Sequence, residues 1–230
     1  MYAVVYGFYT DDMMAPMADP FRLIVGITGA SGVIYGIRLL EVLADQPGVE
    51  THLLMSPAAR QTIELETDRK AADVEALADH RYRFGDIAAS ISSGSFPIDA
   101  MAIIPCSMGT LSAITLSSSD NLLERAADVT LKERRRLVVA PREAPLHLGH
   151  LRLMVQATEM GAIICPPSPG FYANPKTLDD LIDHTVGRLI DTIGIRLDHD
   201  LSKRWTGPDE RRASRRRAGI ATESDAPAGD

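Results

Sequence analysis

The sequence predicts one α/β domain, a three-layer sandwich in which helices cover both faces of a mostly parallel sheet. Three observations predict it. Short apolar runs rich in Val, Ile and Leu alternate with longer stretches of helical periodicity, which is the pattern of strands buried on both faces. The chain has 230 residues, 45% of them hydrophobic, enough for one well-filled core and hardly enough for two. Small residues and prolines follow the apolar runs directly, where strands must turn into helices.

In chain order, residues 22–28 (RLIVGIT) read as a buried strand, followed by a glycine turn and a helix over 33–44. A second strand is expected over 49–55. Ser56 as cap and Pro57 at the first helical position then open a helix to about Thr67. A short helix over 71–78, a strand over 80–84 and a loop over 92–97 follow. Next come a strand over 99–105, helices within 107–116 and 121–134, a strand over 137–140 and a helix over 147–160. A strand over 162–165, a loop over 166–175 and a helix over 178–195 complete the domain, expected to span 21–205. Residues 1–20 read as an extension, with Met13, Met14 or Met17 as alternative starts. The tail from 206 to 230, with five arginines and five acidic residues, reads as disordered.

The formal net charge of −7 and pI of about 5.4 argue against nucleic acid as a partner. Residues 1–20 lack the basic start of a secretory signal, and later apolar runs are broken well short of the roughly 20 residues that a membrane span needs. Two cysteines, Cys106 and Cys165, without a CxxC pattern, fit structural thiols in a reducing compartment. A cytoplasmic, membrane-free protein is the expectation.

In a parallel sheet the site lies beyond the carboxyl ends of the strands, so the loops after Thr28, Met55, Pro105, Ala140 and Cys165 should share one crevice. Gly26-Ile-Thr-Gly29-Ala-Ser-Gly32 would let backbone amides approach a phosphate at a helix start. The same glycines also suit a plain tight turn. The spacing is not GxGxxG, and Ser56 stands where an NAD-binding carboxylate would close the second strand, so a mononucleotide fits better than a dinucleotide. Pro105-Cys-Ser-Met-Gly-Thr110 offers hydroxyls and free amides, or simply a Ser107 cap. Pro141-Arg-Glu-Ala-Pro145 puts a guanidinium beside a carboxyl, either to grip a phosphate and move a proton or as a surface ion pair. Asp179-Asp-Leu-Ile-Asp183 spells the DDxxD of magnesium-diphosphate sites, but after Thr177 it reads as helix capping. His147 and His150 lack an obvious third ligand. No metal is expected.

Taken in register, Gly29 to Gly32, Glu66-Thr-Asp68, Pro105-Cys-Ser107 with Gly109 to Ser112, Asn121 to Asp128, Leu131 to Arg135, Pro141 to Pro145 and Pro169-Gly-Phe-Tyr172 resemble the UbiX/Pad family of flavin prenyltransferases. The resemblance implies a Rossmann-like, flavodoxin-like fold and transfer of a dimethylallyl group from dimethylallyl phosphate to N5 and C6 of reduced FMN. The prenylated FMN would serve a UbiD-type decarboxylase. By the resemblance, Gly29, Ala30, Ser31, Ser56, Ser107, Met108, Gly109, Thr110 and Arg142 hold FMN. Lys132, Tyr172 and Arg188 hold the prenyl phosphate, Trp205 covers the site, and Ser31, Glu66, Glu143 and Lys132 are catalytic. A homo-oligomer, as a dodecamer, is implied as well. Pro57 and Ala173 depart from the pattern, at positions where lysine and histidine are frequent. Two other readings are an FMN-binding accessory subunit of an aromatic-acid decarboxylase and an FMN-dependent cysteine decarboxylase. The latter needs a Pro-x-Met-Asn segment that this sequence lacks.

Overall fold

A computed structural model describes residues 19–205 and Gly207. The extension expected before residue 19 and the charged tail, Gly207 apart, lie outside the described residues. Six strands form one sheet: β1 (Phe21–Ile27), β2 (Val49–Met55), β3 (His80–Tyr82), β4 (Ala100–Cys106), β5 (Arg136–Pro141) and β6 (Ile163–Ile164). Their order is β3-β2-β1-β4-β5-β6 and every pairing is parallel. The chain leaves β1 toward one side and resumes at β4 on the other, so the switch point lies between those two strands. Helices α1 (Val33–Ala44), α2 (Pro57–Glu66), α3 (Ala71–Glu75), α4 (Met108–Thr115), α5 (Leu122–Lys132), α6 (Leu148–Glu159) and α7 (Leu178–Ile193) make the connections. The architecture is Rossmann-like and flavodoxin-like.

Strand periodicity builds two cores. Leu23, Val25 and Ile27 of β1 face α1 and α7 with Ile37, Leu40, Val186 and Leu189. Ile24 of β1 and Ile103 of β4 face the other way, toward Leu111, Leu123 and Ala126 of α4 and α5. At Gly36 a Cβ would lie 2.5 Å from the Ile104 carbonyl and 2.9 Å from Ile27, so α1 rides directly on the strands that flank the switch point. Buried His52 on β2 is pushed down to about 4, by burial first and then by the neighbouring His80.

Most expected elements form within two residues of their predicted ends. The exception is the helix expected over 71–78, which ends at Glu75. The edge strands are also short: the one expected over 80–84 stops at Tyr82 and the one over 162–165 shrinks to two residues, because each pairs on one side only. Among the described residues no helix is long and apolar enough to cross a membrane.

Candidate functional site

The carboxyl ends of β1, β4 and β5 are joined by backbone hydrogen bonds and by the Thr28 hydroxyl. Buried Thr28 donates its hydroxyl to the Pro105 carbonyl at 2.8 Å and accepts the Ser107 amide at 2.8 Å. The Arg142 amide donates to the Cys106 carbonyl at 3.1 Å. Three loops are thereby fixed against one another at the switch point.

Arg142 also donates from Nε to the Ser31 carbonyl at 2.8 Å. Among the described residues its two Nη groups have no hydrogen-bond partner. Glu66, the last residue of α2, accepts at Oε2 from the amides of Gly32 (2.8 Å) and Val33 (3.3 Å). These are amides at the start of α1, whose cap residue Gly32 (φ +96°) has no side chain to serve them. Partial burial raises the Glu66 carboxyl, but the Ser31 hydroxyl, the two amides and the Arg142 charge outweigh it and hold the group below its ordinary range. The glycine turn therefore spends its last amide, and α1 its first, on Glu66. Its phosphate-binding capacity is smaller than its sequence implies. Gly29 is sterically required, since a Cβ there would lie 2.4 Å from that of Ala58.

The start of α4 remains as the donor site. Ser107 caps it, accepting the Thr110 amide at 3.2 Å and pairing with the Thr110 hydroxyl at 3.0 Å. At Gly109 a Cβ would meet only open space and the Ser107 hydroxyl at 4.0 Å, so a ligand can approach the Gly109 backbone. Ser56 caps α2 by accepting the Ala59 amide, which turns its hydroxyl inward toward its own helix. Glu143 is exposed and, among the described residues, accepts only the Ala144 amide next to it, at 3.0 Å. Hydroxyls, helix-start amides and a guanidinium, with no carboxylate at the end of β2, fit the phosphate and ribityl chain of FMN.

A second group forms against α7. Tyr172, Arg188 and Trp205 line one pocket, and the Tyr172 and Trp205 rings meet edge-on at 5.8 Å. Tyr172 and Arg188 also line an adjoining cavity of about 270 Å³ with Ile104, Pro166 and Leu189, an apolar space with a cation and a hydroxyl. Buried His184 sits behind Tyr172. Its Nδ1 accepts the Gly170 amide at 3.2 Å, so the ring proton lies on Nε2 and is donated to the Tyr172 oxygen 2.9 Å away. The tyrosine O–H is then left to donate into the cavity. Sequence reasoning passed over Thr28 and His184. The only available signal was that His184 is a polar residue on the apolar stripe of α7, beside Ile182 and Val186.

Lys132 stands apart from both groups. It ends α5, four residues before β5 begins, and its amine lies near Gly94 and pairs with Glu133. That is the amino-terminal edge of the sheet, opposite the crevice. The DDxxD run caps α7 as expected, with Thr177 and Asp180 exchanging hydrogen bonds at 3.0 and 3.1 Å, while Asp183 pairs with Arg38 at 2.7 Å. His147 accepts the Gly149 amide at the start of α6. Burial pushes up both thiols, Cys106 and Cys165, which keeps them protonated.

Comparison with known proteins agrees with this fold. The Flavoprotein family model matches residues 15–190. The flavin prenyltransferase UbiX of Escherichia coli strain K12 is 61% identical over 186 residues, covering 81% of this chain and 98% of that protein. A crystal structure of AnUbiX (PadA1) in complex with FMN and dimethylallyl pyrophosphate superposes with a TM-score of 0.78 at 47% identity, covering 82% of this chain and 99% of that one. A dodecameric FMN-dependent UbiX-like decarboxylase from Escherichia coli O157:H7 superposes with a TM-score of 0.79 at 50% identity, covering 81% and 100%. With its motifs, its sheet order and these relatives in agreement, the chain belongs to the UbiX family of flavin prenyltransferases.

Proposed function

We propose that this protein transfers a dimethylallyl group from dimethylallyl phosphate to N5 and C6 of reduced FMN and releases phosphate. The observation that carries the proposal is the apolar cavity fronted by Tyr172 and Arg188 at the same sheet edge where Ser31, Glu66 and Arg142 are held together. FMN supplies the nucleophilic ring. Gly29, Ala30, Ser31, Ser56, Met108, Gly109 and the hydroxyls of Ser107 and Thr110 line its site, and Arg142 grips an anionic group through its free Nη atoms.

Breaking the allylic C–O bond leaves an electron-deficient prenyl carbon and a phosphate dianion. Arg188 and the Tyr172 hydroxyl stabilise the developing anion, and the apolar lining keeps competing water from the carbon. Glu143 hands a proton to the departing phosphate, while Glu66 and Ser31 manage protons near flavin N5. Trp205 closes the cavity over the prenyl chain. Lys132 lies at the far sheet edge of its own chain, so it serves the phosphate only from a neighbouring copy. A homo-oligomer built as a dodecamer would supply that copy, and the exposed apolar face of α6 (Leu148, Leu151, Val155) suits such packing. A UbiD-type decarboxylase would receive the product in the cytoplasm.

Anaerobic incubation with reduced FMN and dimethylallyl monophosphate, followed by mass spectrometry, tests the proposal. A flavin heavier by one prenyl unit is expected. Bound FMN with no mass gain would favour an accessory flavin carrier instead.

A further inference from the structure

A second cluster lies away from the crevice, where the edge strand β3 meets β2. The register sets His80 opposite His52, and Glu50, two residues before His52, projects from the same face of β2. One potential ligand atom from each of the three lies within 4.8 Å of the others. Glu50 Oε1 is 3.2 Å from His52 Nε2 and 2.9 Å from His80 Nε2. In a tetrahedral zinc site, with bonds of about 2.1 Å, neighbouring ligand atoms stand roughly 3.4 Å apart.

Proximity alone would describe an ordinary carboxylate and histidine group. The decisive feature is His52. It is 1% exposed, yet its Nε2 has no hydrogen-bond partner. The Glu50 oxygen is close without being aligned to accept a hydrogen bond. Buried ring nitrogens are rarely left so, and a nitrogen and an oxygen that face a common point are disposed to share a cation. The surroundings favour the same role. His52 Nδ1 lies 2.9 Å from the Tyr82 hydroxyl; a proton donated there leaves the lone pair on Nε2. Arg22 holds the other Glu50 oxygen at 3.2 Å, which leaves Oε1 for the cation. His80, half exposed, opens the cluster to solvent, so an ion can enter and water can complete its coordination.

We propose that Glu50, His52 and His80 bind one zinc-class divalent ion that clips strand β3 to β2. Two imidazoles and a carboxylate are ligands suited to zinc rather than to magnesium or calcium. The role is structural. β3 has three residues and pairs only with β2, whereas Glu50 stands near the amino end of β2, remote from the flavin crevice.

Titration of chelator-stripped protein with Zn²⁺ by calorimetry, with Co²⁺ as a spectroscopic probe, tests this. One ion per chain is expected, with four-coordinate Co²⁺ absorption and a zinc-dependent rise in Tm. His80→Ala, at an exposed position, and Glu50→Gln should each weaken binding at least 100-fold while FMN affinity is unchanged. Tyr82→Phe should weaken it about 10-fold. His147→Ala, in the other histidine pair, should bind as the parent does. No stoichiometric uptake, or uptake that survives His80→Ala but not His147→Ala, overturns the proposal.

Discussion

The two halves of the crevice are built differently. Around β1, β4 and β5 the site is main chain held by short anchors: the Thr28 hydroxyl ties the Pro105 carbonyl to the Ser107 amide, and Arg142 anchors to the Cys106 and Ser31 carbonyls. Around α7 it is side chain. Tyr172 comes from an irregular segment and takes its position from His184, while Asp191 holds Arg188 at 3.2 Å and Arg204 at 3.0 Å. The first half depends on a few side chains that anchor directly to main chain, above all the Thr28 hydroxyl and Arg142. The second half should lose function through residues that never touch substrate. A nucleotide needs a fixed cradle, whereas a small prenyl ester needs an anion grip beside an apolar wall.

The sharpest way to break this division is at the residue outside both halves. Lys132→Ala is expected to abolish turnover with FMN binding intact, as is Arg188→Ala. Mixing the two variants under conditions that exchange subunits should restore activity, because some crevices then combine an intact Arg188 with an intact Lys132 from the adjoining chain. Measured turnover that stays at zero would remove the neighbouring-copy arrangement. Next in size, Glu143→Gln should slow prenyl transfer by about 10²- to 10⁴-fold, the usual worth of a positioned acid, with FMN retained in equilibrium dialysis.

A smaller effect separates positioning from contact. His184→Ala should raise KM for dimethylallyl phosphate roughly 10-fold by releasing Tyr172, about one lost hydrogen bond. Tyr172→Phe should give a similar rise, and the double variant should be no worse than either single one. Additive losses would show that His184 does not act through Tyr172.

Acid sensitivity distinguishes the crevice from the edge strand. His52 keeps its proton off down to about pH 4, whereas the unfolded chain takes one up below about 6.5. In chelated protein, stability should therefore fall as pH drops from 6.5 to 4, by up to about 3 kcal/mol, and His52→Gln should flatten that limb in urea titrations. Glu66 acts in the same direction over a more acidic window, because its pKa is lowered as well. Its lowered carboxyl adds stability above its ordinary range that is lost as pH falls through its folded value. Being exposed, it contributes little, and Glu66→Gln should cost about 1 kcal/mol.

The sequence was most legible where local chemistry determines structure. Ser56-Pro57, Ser107, Asn121 and Thr177 each announce a helix start, and each caps one. The alternation of apolar runs foretold the parallel sheet. Contacts between distant segments were not legible. Glu66 occupies an amide of the glycine turn 34 residues earlier, and nothing in Gly29-Ala-Ser-Gly32 signals this. Nor does the 166–175 loop signal that Tyr172 will meet His184. Lys132 was grouped with the prenyl site by motif, and only the topology reveals that it stands at the opposite edge. The Glu50, His52 and His80 cluster likewise arises from strand register, which spacing along the chain does not express.

The division of labour within the crevice is tested most directly by pairing affinity for FMN with affinity for dimethylallyl phosphate, both by calorimetry, in Arg142→Ala and Arg188→Ala. Arg142→Ala should weaken FMN at least 10-fold with little change in affinity for the prenyl ester. Arg188→Ala should leave FMN affinity as it was and impair only use of the prenyl ester. Equal losses of both quantities in both variants would contradict the account.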